Sequence, residues 1–210
     1  MKLIKEACIG NIKDVKKYLD KLDQIDRFET CSKLKLGGLT PSKRTFKFIV
    51  NKTNNLDQII MIRTNNSFII KNKNEIKKLK KHIKKFLKLG AKNFIFGYLT
   101  NDNKIDVDTC KKLIDVIKKE KNTTWNFHMA IDLVDNYFEE INKLINLGFT
   151  RILTKGGSGP AIENVENLKK INDKYGNKIE ILVGGKVTKD NYLEIEKQTK
   201  IRQFHGREIA

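Results

Sequence analysis

The chain has 210 residues, of which 39% are hydrophobic and 32% are charged, and it carries a net charge of +18 at pH 7. It is long enough for one sizeable core, and it lacks the run of about 20 apolar residues that a membrane-spanning helix needs. The three cysteines do not suggest a disulfide framework, and charged residues precede any apolar run near the first residue. We therefore expect a cytoplasmic protein with no membrane partner.

Eight short apolar runs along the chain predict eight β-strands. They lie at residues 3–8, 25–31, 59–63, 94–97, 124–128, 151–154, 179–183 and 201–205. Seven segments with helical periodicity separate them. In the first segment a single apolar stripe runs from Ile12 to Leu22. The second is expected to have Thr40 as its N-cap and Pro41 as its first helical residue.

Strands that alternate regularly with helices are typical of a parallel sheet with helical crossovers. Eight such units predict a (β/α)₈ TIM-like barrel that forms a single domain over residues 1–210. A doubly wound open sheet is the alternative. It would require a glycine fingerprint after the first strand, and residues 8–11 (Cys-Ile-Gly-Asn) do not form one. The last helix is predicted to be missing or truncated, which makes a homodimer a candidate cover for that side.

The excess of lysine has two interpretations. It could mark a surface for a polyanion such as a nucleic acid, because Lys and Arg neutralise phosphates. It could instead reflect a compositional bias that fills solvated positions. Lysines occur in nearly every predicted helix, and the densest run, residues 77–85, has the spacing of the wet side of an amphipathic helix. We therefore favour the second interpretation and do not expect a nucleic-acid partner.

Polar side chains are concentrated where the predicted strands end. In a barrel of parallel strands the C-terminal ends meet at one mouth, where active sites lie. Because side chains alternate along a strand, Glu6 and Cys8 share one face of the first strand, and Arg27, Glu29 and Cys31 share one face of the second. Later strands add further residues at the same end: Arg63, His128, Thr154, Gly184 and Gly185. Such polarity in a barrel interior predicts a functional centre.

The two cysteines at this mouth suggest a metal site. Thiolates of Cys8 and Cys31 on neighbouring strands would suit copper(I), a soft ion that prefers sulfur ligands. The alternative is that both are small buried residues without a metal. Met61 is expected to face away from the cavity, and His205 is expected to be structural because the chain frays near its end.

An enzyme acting on a small anionic metabolite, a phosphate or a carboxylate, is the alternative function. Glu6, Glu29 and His128 would do its acid–base work. The anion would be held by a second set of residues: Arg27, Arg63, Thr154, Gly184 and Gly185. His128 also has a structural interpretation, as a core histidine bonded to a carboxylate such as Glu29.

Several short motifs resemble the CutC copper homeostasis family. Residues 28–31 (Phe-Glu-Thr-Cys), followed by residues 37–42 (Gly-Gly-Leu-Thr-Pro-Ser), are similar to its most specific signature. Residues 61–63, 127–132 and 204–206 are similar to further family motifs in the same order. The resemblance spans nearly the whole chain. It implies a cytosolic barrel that is linked to copper tolerance, binds copper(I) and associates with further copies.

Overall fold

A computed structural model describes residues 2–54 and 56–210 of the chain. Within these residues, eight parallel strands form one closed barrel in chain order, and β8 pairs with β1. The strands are β1 (Ile4–Ile9), β2 (Arg27–Thr30), β3 (Asp57–Met61), β4 (Asn93–Phe96), β5 (Thr124–Phe127), β6 (Arg151–Thr154), β7 (Glu180–Val183) and β8 (Gln203–Gly206). The predicted (β/α)₈ barrel is confirmed. Met1 and Asn55, which the predicted domain includes, lie outside the described residues.

Seven α-helices in the described residues surround the barrel. They are α1 (Ile12–Lys16), α2 (Lys43–Lys52), α3 (Lys73–Leu87), α4 (Val107–Ile117), α5 (Tyr137–Asn146), α6 (Val165–Tyr175) and α7 (Tyr192–Thr199). None of these helices has the length and apolar character that a bilayer crossing requires. The described residues after β8 form no α-helix. Ile209 is nevertheless fully buried, and the Tyr18 hydroxyl donates to the Arg207 carbonyl at 2.8 Å, so this segment packs on the barrel.

Apolar side chains form two separate clusters because strand residues alternate in direction. The outer cluster lies between strands and helices and includes Phe28, Phe94 and Phe204. The inner cluster fills part of the barrel with six buried residues: Cys31, Ile59, Met61, Ile95, Leu153 and Leu182. The expectation that Met61 faces away from the interior is therefore wrong. Its register partner on β4 is Ile95, and paired residues of parallel strands point to the same side.

The first predicted helix is shorter than expected. It ends at Lys16, and residues Leu19–Gln24 form a 3₁₀ segment interrupted at Lys21, whose φ and ψ of −138° and 22° are not helical. Leu19 and Leu22 are three residues apart. A 3₁₀ turn also places such residues on one side, so the apolar spacing fits both structures.

The predicted cap of α2 is also wrong. Ser42, rather than Thr40, caps the helix, and its hydroxyl accepts a hydrogen bond from the Thr45 backbone N–H at 3.1 Å. The Thr40 hydroxyl instead accepts from the Arg63 N–H at 2.9 Å and donates to the Arg63 carbonyl at 3.0 Å. These bonds tie the loop after β2 to the residues after β3, at the mouth of the barrel.

Candidate functional site

A network of charged and amide side chains occupies the N-terminal end of the barrel interior, with Glu6 and Arg27 buried and Glu180 exposed at its edge. We call it the lower network, and its members are Glu6, Arg27, Arg151, Glu180 and Gln203. Arg27 Nε lies 2.6 Å from Glu6 Oε2, and Arg27 Nη2 donates to Gln203 Oε1 at 2.8 Å. Arg151 donates to the same amide oxygen at 3.1 Å and pairs with Glu180 at 2.5 Å. Each charge therefore has an opposite partner, which offsets the cost of removing it from water.

Glu6 joins the lower network to the mouth. Burial disfavours its ionised form, but Arg27 and His205 outweigh burial and lower the pKa of Glu6 to about 2. Glu6 Oε1 lies 2.8 Å from His205 Nδ1. Burial alone would lower the pKa of His205, but Glu29, Cys8 and Glu6 raise it well above its usual value. His205 is not at a frayed end, contrary to expectation, because β8 pairs with β1 and places His205 opposite Glu6.

Four side chains converge at the C-terminal end of the strands, and we call them the mouth cluster: Cys8, Glu29, Cys31 and His205. One ligand atom each from Cys8, Glu29 and His205 lies within 4.8 Å of the others. The Cys31 thiol donates to Glu29 Oε1 at 3.0 Å, and Cys8 Sγ lies 3.9 Å from the same oxygen. The structure thus brings the two predicted cysteines to one carboxyl group and adds an imidazole beside them.

The groups of the mouth cluster shift one another's pKa values. A hydrogen bond with Cys31 and the charge of His205 lower the pKa of Cys8 to about 5, against the opposing effect of burial. The same contact with Cys8, together with burial, raises the pKa of Cys31 well above its usual value. Burial raises the pKa of Glu29 to about 8. These shifts favour the ionised thiolate of Cys8, the protonated carboxyl of Glu29 and the imidazolium of His205.

A cavity of about 460 Å³ adjoins the mouth cluster. Its apolar lining includes Leu34, Met61, Phe68, Met129 and Leu153. Its polar lining combines Cys8, Glu29 and His205 with Arg63, His128, Lys186 and Arg207. A cavity of this size is within the range of small-molecule sites and is larger than a single ion requires.

Arg63 is held mainly by the loops that it connects. Its Nη1 donates to the Gly37 carbonyl at 3.1 Å, and its Nη2 donates to the Asn66 carbonyl at 2.6 Å. The guanidinium carbon lies 4.3 Å from the centroid of the Phe68 ring. Arg63 Nε is buried and has no hydrogen-bond partner among the described residues. Arg63 lines the cavity, but this unpaired nitrogen is itself shielded from it.

His128 is buried at the cavity and is neutral. Its Nδ1 accepts from the Ala130 N–H at 3.1 Å, and its ring lies 5.0 Å from the Phe68 ring. Burial, followed by the charge of Arg63, lowers the pKa of His128 to about 3. Within residues 2–54 and 56–210, His128 Nε2 has no partner, so the expected bond to Glu29 is not formed. Since Nδ1 is an acceptor, Nε2 carries the proton and is a free donor.

The predicted anion-binding residues are only partly together. Arg63 and Gly185 line the cavity, whereas Arg27, Thr154 and Gly184 are not among the described residues that line it. Arg27 belongs to the lower network. The Thr154 hydroxyl donates to Asp132 Oδ1 at 2.6 Å and is bonded in the loop after β6. A Cβ on Gly184 would lie 2.7 Å from Met129 Cε and 2.8 Å from Leu153 Cδ1, so Gly184 makes room for apolar side chains.

Sequence reasoning missed two basic residues of the cavity and the central place of His205. Lys186 follows the Gly-Gly turn after β7, and Arg207 follows β8. Both lie directly after strand ends, which is the signal that could have identified them. His205 could have been identified by the same argument that was applied to Glu6, because inward residues of adjacent strands share a layer.

A family model described as the CutC family matches residues 3–210. The chain belongs to the CutC family. A Treponema denticola family protein CutC is 36% identical over 98% of this chain and 81% of that protein. A Caenorhabditis elegans protein named copper homeostasis protein cutC homolog is 28% identical over 96% of this chain and 78% of its own. The resemblance inferred from the motifs is confirmed.

A solved CutC structure has the same fold as this CutC-family chain. It is a Streptococcus agalactiae protein described as a candidate copper homeostasis protein CutC, and it is 31% identical. The superposition has a TM-score of 0.90 and covers 99% of this chain and 100% of that one. This chain therefore shares its fold with a solved member of the family.

Proposed function

We propose that this CutC-family barrel takes part in copper homeostasis in the cytoplasm and binds copper(I) at the mouth cluster. The observation that carries the proposal is the grouping of Cys8, Glu29 and His205, whose ligand atoms lie within 4.8 Å of one another. Cys31 adds a second sulfur next to the same carboxyl, 3.0 Å from Glu29 Oε1. The relatives named for copper homeostasis support the same cargo.

The donor set suits a soft monovalent ion. Copper(I) prefers thiolate, thioether and imidazole ligands over carboxylates. Cys8 and Cys31 supply sulfur and His205 supplies an imidazole nitrogen, and His205 and Cys31 release a proton when the metal binds. Met61 lines the same cavity, and its methyl group lies 3.7 Å from the position that a Cβ on Gly38 would take. That same Cβ would lie 3.1 Å from Cys31 Sγ, so Gly38 keeps the space beside both sulfur side chains open.

A competition titration tests this proposal. The reduced protein is titrated with copper(I) in the presence of a chromogenic chelator, and the affinity is obtained from the chelator's absorbance. We expect the Cys8→Ser, Cys31→Ser double variant to lose at least tenfold in affinity, because each replaces a soft ligand by a hard one. His205→Gln should lose affinity as well.

Cys110→Ser is the matched control. Cys110 is a buried free cysteine on α4, outside the mouth cluster, so its substitution should leave the copper(I) affinity within about twofold. If the Cys8→Ser, Cys31→Ser variant binds copper(I) as tightly as the wild type, the mouth cluster is not the copper(I) site. Equal losses in that variant and in Cys110→Ser would point to damaged folding instead, which urea unfolding would reveal.

A small anionic metabolite is the second candidate ligand, because three residues that line the cavity each carry a polar atom without a hydrogen-bond partner. Glu29 Oε2, Arg63 Nε and His128 Nε2 are buried without hydrogen-bond partners in the part of the chain that the structure describes. Buried polar groups are normally paired, and each unpaired one calls for an explanation such as a ligand. Arg63, Lys186 and Arg207 give the cavity a positive lining that suits a phosphate or a carboxylate.

Thermal unfolding separates the two candidates. A ligand that binds only the folded state raises the midpoint. A metabolite held by the unused donors should raise the midpoint of the wild type and of Cys8→Ser, but not that of His128→Phe. Copper(I) should raise the midpoint of the wild type and of His128→Phe, but not that of Cys8→Ser. If no phosphate or carboxylate compound in a metabolite collection raises the wild-type midpoint, the second candidate is rejected and the first is unaffected.

A further inference from the structure

Positive charge is concentrated in one part of the chain. Residues 30–101 contain 17 Lys and Arg but only 2 Asp and Glu, and therefore carry +15 of the net charge of +18. Residues 123–200 contain 11 of each type and are neutral. Lysines do occur along the whole chain, as expected, and what distinguishes residues 30–101 is the near absence of acidic residues. A compositional bias alone would raise the lysine content of both halves without removing acidic residues from one of them.

Much of this charge lines a single groove along α3. The groove has a volume of about 590 Å³ and is lined by seven lysines and one leucine: Lys43, Lys77, Lys80, Lys81, Lys84, Lys85, Lys88 and Leu89. None of the described residues that line it is acidic or aromatic. Within the described residues, 2–54 and 56–210, these lysines form no salt bridge. The groove is therefore a concave surface of uncompensated positive charge.

The fold does not need these lysines. The opposite side of α3 is anchored by fully buried Leu79, Ile83 and Phe86. Lysines four residues apart, such as Lys77 and Lys81 or Lys84 and Lys88, repel one another and each pair costs a few tenths of a kcal/mol. A polyanion in the groove would relieve this repulsion.

We propose that the groove along α3 binds the phosphate backbone of a double-stranded nucleic acid without reading its sequence. Lysines from Lys77 to Lys88 extend over about 16 Å of helix, a length along which a duplex presents about ten phosphates. Lysines neutralise phosphates, and the described lining holds no Arg, Asn or Gln, the side chains that make bidentate contacts to guanine or adenine. Binding of single strands normally uses aromatic side chains that stack on bases, and the described lining contains none.

An anionic membrane is the other large polyanion, and the surface fits it less well. Membrane-surface helices present apolar side chains that enter the bilayer. The apolar side of α3 faces the protein core, and the exposed large apolar residues of the described chain, Leu36, Ile69, Leu133 and Leu193, do not line the groove.

Fluorescence anisotropy with a labelled 20-base-pair duplex of mixed sequence tests the proposal. The groove variant carries Lys77→Gln, Lys81→Gln, Lys84→Gln and Lys88→Gln. The control variant carries Lys169→Gln, Lys170→Gln, Lys178→Gln and Lys197→Gln, which removes four charges from the neutral half. All eight lysines are exposed, and glutamine preserves helix propensity. Duplex DNA, duplex RNA and phosphatidylserine vesicles are measured in parallel between 50 and about 200 mM salt, the range over which phosphate contacts are lost.

We expect the wild type to bind either duplex with an affinity that falls steeply with salt. The groove variant should bind at least tenfold more weakly at low salt, and the slope of log affinity against log salt should be smaller by about three to four. The control variant should stay within about twofold of the wild type. Equal losses in both variants, no duplex binding at 50 mM salt, or binding to vesicles in preference to both duplexes would each overturn the proposal.

Discussion

The lower network and the mouth cluster lie one above the other in the barrel interior and meet at Glu6 and His205, and each contains a buried carboxyl group, yet they differ in how well their polar groups are paired. In the lower network Arg27 and Glu6 form a direct ion pair, and Gln203 accepts from both arginines. At the mouth, Glu29 Oε1 accepts from the Cys31 thiol and lies 3.9 Å from Cys8 Sγ, and the second oxygen of Glu29 has no hydrogen-bond partner within the described residues.

This difference in pairing distinguishes polar groups that stabilise the fold from polar groups that are expected to bind a ligand. A buried polar group that is fully paired contributes to the fold, because breaking its partnership leaves a charge or dipole away from water. A buried polar group without a partner lowers stability and is expected where a ligand will complete it. Substitutions in the lower network should therefore lower the free energy of unfolding, whereas substitution of the unpaired carboxyl at the mouth should raise it.

The largest effect is expected in the lower network. Arg27→Met keeps most of the side-chain volume but leaves Glu6 without its main partner, so it should lower the free energy of unfolding by about 3 to 5 kcal/mol. Urea unfolding at pH 7 measures this. The control is Lys104→Met, which breaks an ion pair with Asp102 in which both side chains are about 60% exposed. It should cause no resolvable change. Similar losses in both variants would mean that the lower network has no special role.

Glu29→Gln, unlike Arg27→Met, should raise the free energy of unfolding at alkaline pH. The pKa of Glu29 is raised to about 8, so its contribution to stability is present below its ordinary value near 4.5 and is lost as the pH rises through 8. Glutamine does not ionise. The variant should therefore exceed the wild type at pH 9 by about 1 to 3 kcal/mol and lose this advantage at pH 5.

Glu180→Gln is the matched control in the lower network. Arg151 lowers the pKa of Glu180 although burial opposes it, so its contribution is present above its ordinary pKa and is lost at lower pH. This variant should be less stable than the wild type at pH 7. A stabilising effect there, or a destabilising effect of Glu29→Gln at pH 9, would contradict the distinction between the two ends.

His128 should make the wild type sensitive to acid. Its pKa is lowered to about 3, so below pH 6.5 the unfolded chain binds a proton that the folded chain does not. This group should lower the free energy of unfolding by about 1 kcal/mol between pH 6 and pH 5. In His128→Asn, whose amide oxygen can still accept from the Ala130 N–H, that part of the pH dependence should disappear. An unchanged slope would mean that His128 is protonated in the folded protein.

The smallest expected effect is on thiol reactivity at the mouth. Iodoacetamide at pH 7 should modify Cys8, which is half-buried and has a pKa of about 5, before the fully buried Cys31 and Cys110. His205→Gln removes a positive charge next to Cys8 and should slow its modification about two- to threefold. Mass spectrometry of the digested protein measures both. Equal labelling of all three cysteines in the native protein would contradict the geometry of the mouth.

The local signals that were read correctly are those that depend on spacing along the chain. The spacing of apolar residues placed all eight strands, and Asp106, directly before α4, caps that helix by accepting from the Thr109 N–H at 2.9 Å. Thr40 failed as a cap because its hydroxyl bonds Arg63, a residue 23 positions away. The homodimer inferred from the short last unit stays a prediction that sedimentation would check.

By itself, the sequence determined the barrel, the order of its strands and the grouping of Glu6, Cys8, Glu29 and Cys31, because periodicity is a local property and parallel strands end at one face. Only the tertiary structure decided which groups pair. Closure of β8 onto β1 brought His205 to Glu6 across 199 residues, and the packing of α3 gathered its lysines into one groove. Pairing depends on distances between side chains that are remote along the chain, and neither composition nor spacing contains those distances.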